Sequence, residues 1–161
     1  MNNIAIIDSP IGCLEICTNS TALLSITFLN TLRNNIKLPK KKWHPVTTQA
    51  IKELNEYFYS ERKTFTLPFE LNMPPFYQSV LNEVSKIKFG QTKSYQKIAV
   101  ELKNHNATRA VGTANAKNPI PIIIPCHRVI SSNRTLGGYS GGIDKKLFLL
   151  KHENSNFFIS N

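Results

Sequence analysis

The sequence predicts an α/β (α+β) fold in two parts: a small N-terminal antiparallel β-sheet with a helix, residues 1–73, and a mostly helical C-terminal part, residues 74–161. Three observations predict it. Short apolar or alternating runs of strand length cluster at the start of the chain. Further on, apolar residues recur at helical spacing in several separate segments. The charge shifts too: residues 1–73 balance at +2 and residues 74–161 at +8.

The first element is a meander. Ile4 to Ile7, Leu14 to Cys17 and Leu23 to Phe28 are separated by Asp8-Ser9-Pro10 and Thr18-Asn19-Ser20-Thr21, which are turn compositions. Cys13 and Cys17 are four apart and share a strand face. With His44 they invite a zinc reading, but no fourth ligand has recognisable spacing, so no metal is expected. Arg33 to Trp43, with Lys40-Lys41-Lys42, reads as a polar surface connection. Residues 46–59 read as a helix with Ala50, Ile51, Leu54, Tyr57 and Phe58 on its apolar face, capped by Thr47 or Thr48. Thr64 to Leu71 alternates, as a further strand or an extended linker. Pro68 and Pro74-Pro75 punctuate it, and the boundary falls near Asn72-Met73.

In the second part, Phe76, Tyr77, Val80, Leu81, Val84 and Ile87 define an amphipathic helix reaching to Phe89, with Gly90 as the left-handed residue past its end. Ser94 caps a short helix, Tyr95 to Leu102. After the polar break Lys103-Asn104-His105-Asn106 comes another, Ala107 to Ala116. The pair is a helix-turn-helix candidate. Ile120-Pro121-Ile122-Ile123-Ile124 reads as a buried strand leading to Pro125 and Cys126. A glycine-rich loop, Ser131 to Gly142, follows. Asp144 to Glu153 closes the region as a helix whose buried side is Leu147, Leu149, Leu150 and Phe148. The tail with Phe157-Phe158-Ile159 has no assigned element.

Cys126 stands directly beside His127. A thiolate is a strong nucleophile and a thiol a weak one, so a neighbouring base has chemical value. A buried structural cysteine is the other reading. The basic second half points to an anionic polymer as partner, or to a lysine-rich solvated face. Three cysteines without an N-terminal leader lead us to expect a reduced, cytoplasmic protein. No apolar run approaches the ~18 residues of a membrane span.

Pro125-Cys126-His127-Arg128-Val129-Ile130 resembles the active-site motif of the O6-alkylguanine-DNA alkyltransferases. Phe89-Gly90-Gln91-Thr92, Ser94-Tyr95, Ile98-Ala99, Arg109-Ala110-Val111-Gly112, Asn118-Pro119, Gly138-Tyr139-Ser140-Gly141-Gly142, Lys146 and Leu149-Leu150 with Glu153 fall in the family's order and spacing. The resemblance is dense from Phe76 to Glu153. It implies a ribonuclease-H-like first domain and a winged-helix-like second one. It also implies stoichiometric repair of O6-alkylguanine, and of O4-alkylthymine, by transfer of the alkyl group to Cys126, with no cofactor.

In that resemblance His127 is the base, acting through a water, Glu153 its orienting carboxylate, and Tyr95 the donor to the departing guanine. Arg109 is the finger that replaces a flipped-out nucleotide. Ala110, Thr113, Ala114 and Asn115 belong to the helix that meets the minor groove of double-stranded DNA. The Val129 and Cys126 carbonyls, Tyr139 and the Ser140 amide surround the base, and Asn118 is structural, without direct chemistry. The implied protein is a monomer with no membrane partner. The sequence departs from the family at Lys103-Asn104-His105-Asn106, where a Gly and a Pro are usual, at Phe76-Tyr77 in place of Phe-Gln, and at Asn133-Arg134, where a Gly is common. Two competing readings are a non-catalytic alkyltransferase-like damage-binding protein and an alkylation-sensing regulator. Cys126 argues against the first. The second would carry a further DNA-binding segment with its own cysteines. A Cys-His hydrolase leaves the basic half unexplained.

Overall fold

The structure, a computed structural model, describes residues 2–29, 43–154 and 156–157. The polar connection expected from Arg33 onwards, apart from Trp43 at its end, and Phe158-Ile159 of the tail lie outside the described residues. The chain divides between Leu71 and Asn72 into two compact units.

In the first unit β1 (Asn3–Ile7), β2 (Cys13–Thr18) and β3 (Leu23–Leu29) form an antiparallel sheet in that order. Leu14, Ile16, Leu23 and Ile26 are buried, and α1 (Pro45–Tyr59) adds Ala50, Leu54, Tyr57 and Phe58 to the core. The cap of α1 is neither threonine. The His44 ring accepts the Val46 amide at 3.5 Å, with Pro45 opening the helix. Thr47 is fully buried instead, and its hydroxyl meets that of Thr18 at 2.6 Å. The stretch from Thr64 is extended and touches the sheet at one parallel bridge, Leu23 to Phe69. Pro68, with no amide hydrogen, cannot extend a ladder there.

In the second unit α2 (Pro75–Ser85), α3 (Tyr95–Glu101) and α4 (Thr108–Ala116) pack on one another. Ser94 caps α3, its hydroxyl accepting the Lys97 amide at 3.1 Å. α2 is shorter than its apolar spacing predicts, because Ile87 is buried from the turn beyond the helix. Gly90 therefore does not cap α2. It has φ +74° in a turn closed by the Gln91 amide on the Lys88 carbonyl, 3.0 Å. A Cβ at Gly90 would lie 3.1 Å from the Glu153 carbonyl oxygen, so the turn needs glycine for space as well as for φ.

The largest correction concerns residues 120–124. They are buried as expected but do not form a strand. The Ile124 amide returns to the Ile120 carbonyl at 3.0 Å, and Ile122 takes φ +76°. Pro119, Pro121 and Pro125 each remove an amide donor that a ladder would need. The Asn118 amide substitutes for a partner strand: it donates to the Ile124 carbonyl (2.8 Å) and accepts the Ile120 amide (3.1 Å). The strand comes after the cysteine, where β5 (Val129–Ile130) runs parallel to β4 (Lys93–Ser94). α5 (Ile143–Glu153) buries Lys146, Leu149, Leu150 and Glu153. Leu147 is partly buried, while Phe148 is exposed and stacks on the His152 ring. Among the described residues no helix is long and apolar enough to cross a membrane.

Candidate active site

Cys126 opens a single 310 turn, Cys126–Arg128, between the Asn118-braced loop and β5. All three of its side chains are buried. An open groove of about 720 Å³ lies beside it. Along α4 it is lined by Thr108, Arg109, Gly112, Thr113, Asn115 and Ala116, and across from α4 by Tyr95, Gly138, Tyr139 and Ser140.

The buried charges converge on the turn. The Glu153 carboxylate receives the His127 Nε2 at 2.7 Å, the Arg128 Nε at 2.7 Å and its Nη2 at 2.9 Å, and the Gly90 amide at 3.2 Å. Desolvation alone would raise its pKa. The donors from His127 and Arg128 outweigh it and hold the carboxyl well below the usual carboxylate range. Burial pushes the His127 imidazole down, against the opposing pull of Glu153, and the charges of Arg128 and Lys146 add to the push. Burial pushes the Cys126 thiol up, while hydrogen bonds from Asn118 and Tyr139 and the Lys146 charge draw it back. Asn118, whose side chain braces the loop on the Ile120 amide and the Ile124 carbonyl, holds the backbone that leads to the thiol. Tyr95 is raised by burial and by the neighbouring thiolate charge, which keeps its phenol protonated and able to donate.

Lys146 is the residue that sequence reasoning placed least well. Its Nζ donates to the carbonyls of Val129 (2.6 Å), Leu136 and Gly138 (3.4 Å), pinning the glycine-rich loop to the turn. Burial lowers its pKa to about 8. The signal was present in the spacing, since 146, 149, 150 and 153 form one helical stripe that carries two charges among two leucines. Gly137, φ +66°, brings the loop against Tyr95: a Cβ there would stand 3.1 Å from the ring and from the hydroxyl.

Cys126, His127, Glu153, Tyr95, Asn118, Tyr139 and Val129 are therefore brought to one place. Asn115 joins them as a brace, its amide donating to the Cys126 carbonyl at 3.2 Å. Arg109, Thr113 and Ser140 line the groove. Ala110 is exposed on α4 but does not line it. Ala114 is a correction: it is fully buried with Val111 on the inward face of α4, so its side chain has no surface to offer a ligand. Thr108 and Ala116 were missed, although with Gly112 they form an i, i+4, i+8 row. Among the described residues no group of three or more His, Cys, Asp or Glu side chains is placed to hold a metal. Cys13 donates to Asp8 at 3.3 Å, and His44 is spent on its cap. The site sets a buried thiol beside an imidazole that is held on a carboxylate, with a phenol at the rim of a groove whose one charged lining residue, among the described residues, is Arg109. Such a set suits displacement at carbon with a stabilised leaving group.

The DNA binding domain of 6-O-methylguanine DNA methyltransferase matches residues 75–155, and that family's ribonuclease-like domain matches residues 4–71. A methylated-DNA–protein-cysteine methyltransferase of Methanosarcina acetivorans is 39% identical over 154 residues, covering 94% of this chain and 97% of the relative. One of Mycobacterium tuberculosis is 40% identical over 152 residues, covering 92% and 90%. Among solved structures, Mycobacterium tuberculosis OGT in complex with DNA superposes with a TM-score of 0.84 at 38% identity, covering 94% of this chain and 92% of that one. An O6-methylguanine DNA methyltransferase from Methanococcus jannaschii gives a TM-score of 0.66 at 32% identity, covering 97% and 96%.

Proposed function

The chain belongs to the 6-O-methylguanine DNA methyltransferase family, and from that premise we propose that it repairs alkylated DNA by moving the alkyl group onto Cys126. The observation that carries the assignment is the buried thiol at the groove edge, flanked by His127 held on Glu153. In the reaction the Sγ–carbon bond forms as the bond between that carbon and O6 of guanine breaks. The thiol proton passes to His127 through a water. Tyr95 donates to the purine as negative charge builds on it, which is electrostatic assistance to a leaving group. The product is a thioether. It has no carbonyl for water to attack, so each molecule acts once.

A guanine within a duplex keeps its O6 out of reach of the thiol, so the nucleotide is flipped out into the groove. Arg109, exposed on α4 at the groove rim, fills the gap left in the stack. The row Thr108, Gly112 and Ala116 is small enough for α4 to approach the minor groove closely. The Ser140 amide and the Cys126 and Val129 carbonyls read the base edge, with second lone pairs left after Asn115 and Lys146 have bonded those carbonyls. O4-alkylthymine offers the same alkyl–oxygen bond and is a second substrate. The chemistry and the DNA contacts belong to residues 74–161. Residues 1–73 carry no chemical step. The protein works as a cytoplasmic monomer wherever the cell's DNA is exposed to alkylation.

The test is to mix the protein with a duplex oligonucleotide containing O6-methylguanine and weigh the intact chain. A gain of one methylene, ending at one equivalent, is expected. Tight binding without a mass gain would make this a damage-binding protein instead.

A further inference from the structure

The family resemblance assigns His127 and Glu153 a partnership, yet half of the Glu153 carboxylate is held by a residue outside it. Arg128 follows His127 in the same 310 turn, is only 5% exposed, and spans both carboxylate oxygens, Nε to Oε2 and Nη2 to Oε1. Its third nitrogen donates to the Ile87 carbonyl at 2.6 Å, and the Phe89 ring lies 5.8 Å from the guanidinium carbon. The guanidinium is thus fixed at three points and cannot swing away from the carboxylate. Oε1 is shared: it takes the His127 Nε2 at 2.7 Å and the Arg128 Nη2 at 2.9 Å.

We propose that Arg128 is a positioning residue that, by sharing the Glu153 carboxylate, keeps His127 neutral, with its proton on Nε2 and its Nδ1 lone pair bare for the thiol proton. The proposal rests on the alkyl-transfer reading above and assigns a residue that reading leaves idle. The argument is one of charge and donor count. With four donors around it Glu153 stays an anion that only accepts, so the His127 nitrogen facing it must carry hydrogen. A lone carboxylate beside an imidazole would stabilise imidazolium, which has no lone pair for a proton. Arg128 offsets that negative charge. His127 Nδ1 is buried, with no hydrogen-bond partner among the described residues. The charged groups facing the imidazole are Glu153 and Lys146 from α5 and Arg128 from its own turn, with the Cys126 thiol adjacent. α2 also packs on the turn, but its one charged residue, Glu83, pairs with Lys86 at the surface.

The test is the pH dependence of the single-turnover transfer rate in wild type, Arg128→Met and Arg128→Lys. Loss of the cation raises the affinity of His127 for a proton, so the acid limb of Arg128→Met should move up by roughly one pH unit or more. Arg128→Lys keeps the charge and should leave the limb near its wild-type position even where the rate drops. A residue needed only for packing would slow both variants and move neither limb, and that result, or an equal shift in both, would overturn the proposal. Ring resonances of His127 in the wild-type protein decide the matter if Arg128→Met does not fold. They should report the neutral Nε2–H tautomer near neutral pH; imidazolium or the Nδ1–H tautomer would contradict it. Those resonances need no DNA substrate. A wild type that transfers nothing at any pH sinks the alkyl-transfer reading and leaves the tautomer test standing.

Discussion

Each of the two units buries a glutamate, and the two are put to different use. Glu53 in α1 is 2% exposed. Its carboxylate accepts the Thr66 amide (2.8 Å) and hydroxyl (2.6 Å) and the Gln49 amide (2.9 Å), with Arg62 farther off at 3.7 Å. Most of its close partners are neutral and fixed, and the result is a pin between helix and extended chain. Glu153 in α5 is 8% exposed, but its partners are a titratable ring and a guanidinium one and two residues from a buried thiol. Both carboxyls are lowered relative to their ordinary value. A buried, perturbed acid is therefore no sign of a site by itself. What distinguishes Glu153 is a partner that can take up a proton beside a nucleophile.

Exchanging each acid for its amide sharpens the contrast most. Glu153→Gln should slow methyl transfer by roughly 10²–10⁴-fold, the usual worth of a positioned general base. It should also lower stability by about 3–5 kcal/mol, since the buried Arg128 loses its counter-charge. Glu53→Gln should reduce stability by about 1–3 kcal/mol through mismatched hydrogen bonds and leave the transfer rate alone. Denaturant midpoints and single-turnover rates measured on both variants check this, and slowed transfer in Glu53→Gln would erase the distinction. Arg109→Ala, also in the second unit but outside the buried cluster, should slow repair of duplex DNA by roughly tenfold or more, because flipping a nucleotide costs a few kcal/mol. It should spare a free alkylated base. Equal losses on both substrates would move Arg109 into folding or chemistry.

Acid should separate the units as well. A group whose folded pKa is depressed stabilises above its unfolded value and loses that contribution as pH falls toward the folded one. For Glu53 and Glu153 the loss begins near 4.5. For His127, held neutral by burial, it begins near 6.5, because the unfolded ring takes up a proton that the folded ring refuses. As pH falls, amide protection, taken relative to the intrinsic exchange rate at each pH, should therefore be lost first in residues 72–161. The smallest effect expected is at Lys103, which holds φ +56° in the α3–α4 connection, a conformation that favours glycine. Lys103→Gly should relieve backbone strain and stabilise the protein by about 0.5–1 kcal/mol, read from its thermal midpoint.

Much of this was legible in the sequence because apolar spacing and motif order report burial and neighbourhood. The three strands and α1 follow from runs and stripes, and Cys126, His127 and Glu153 were named before any geometry. Spacing cannot say who receives a hydrogen bond. Residues 120–124 are as apolar as a strand, and only the Asn118 side chain and three prolines make them a braced turn. Ile87 lengthened the apparent α2 because a turn can bury a side chain as well as a helix can. Ala114 looked like a small contact residue, and its partners on the inward face of α4 show why it is small. Lys146 and Arg128 were overlooked as site residues because a charge is read as surface until its partners are seen.

The central claim is that Cys126 alone among the three cysteines accepts the alkyl group. After reaction with an O6-methylguanine duplex, peptide mapping by mass spectrometry should find methyl on Cys126 and on neither Cys13, bonded to Asp8, nor Cys17. Methyl on Cys13 or Cys17, or none on Cys126 while the DNA is repaired, would contradict the account.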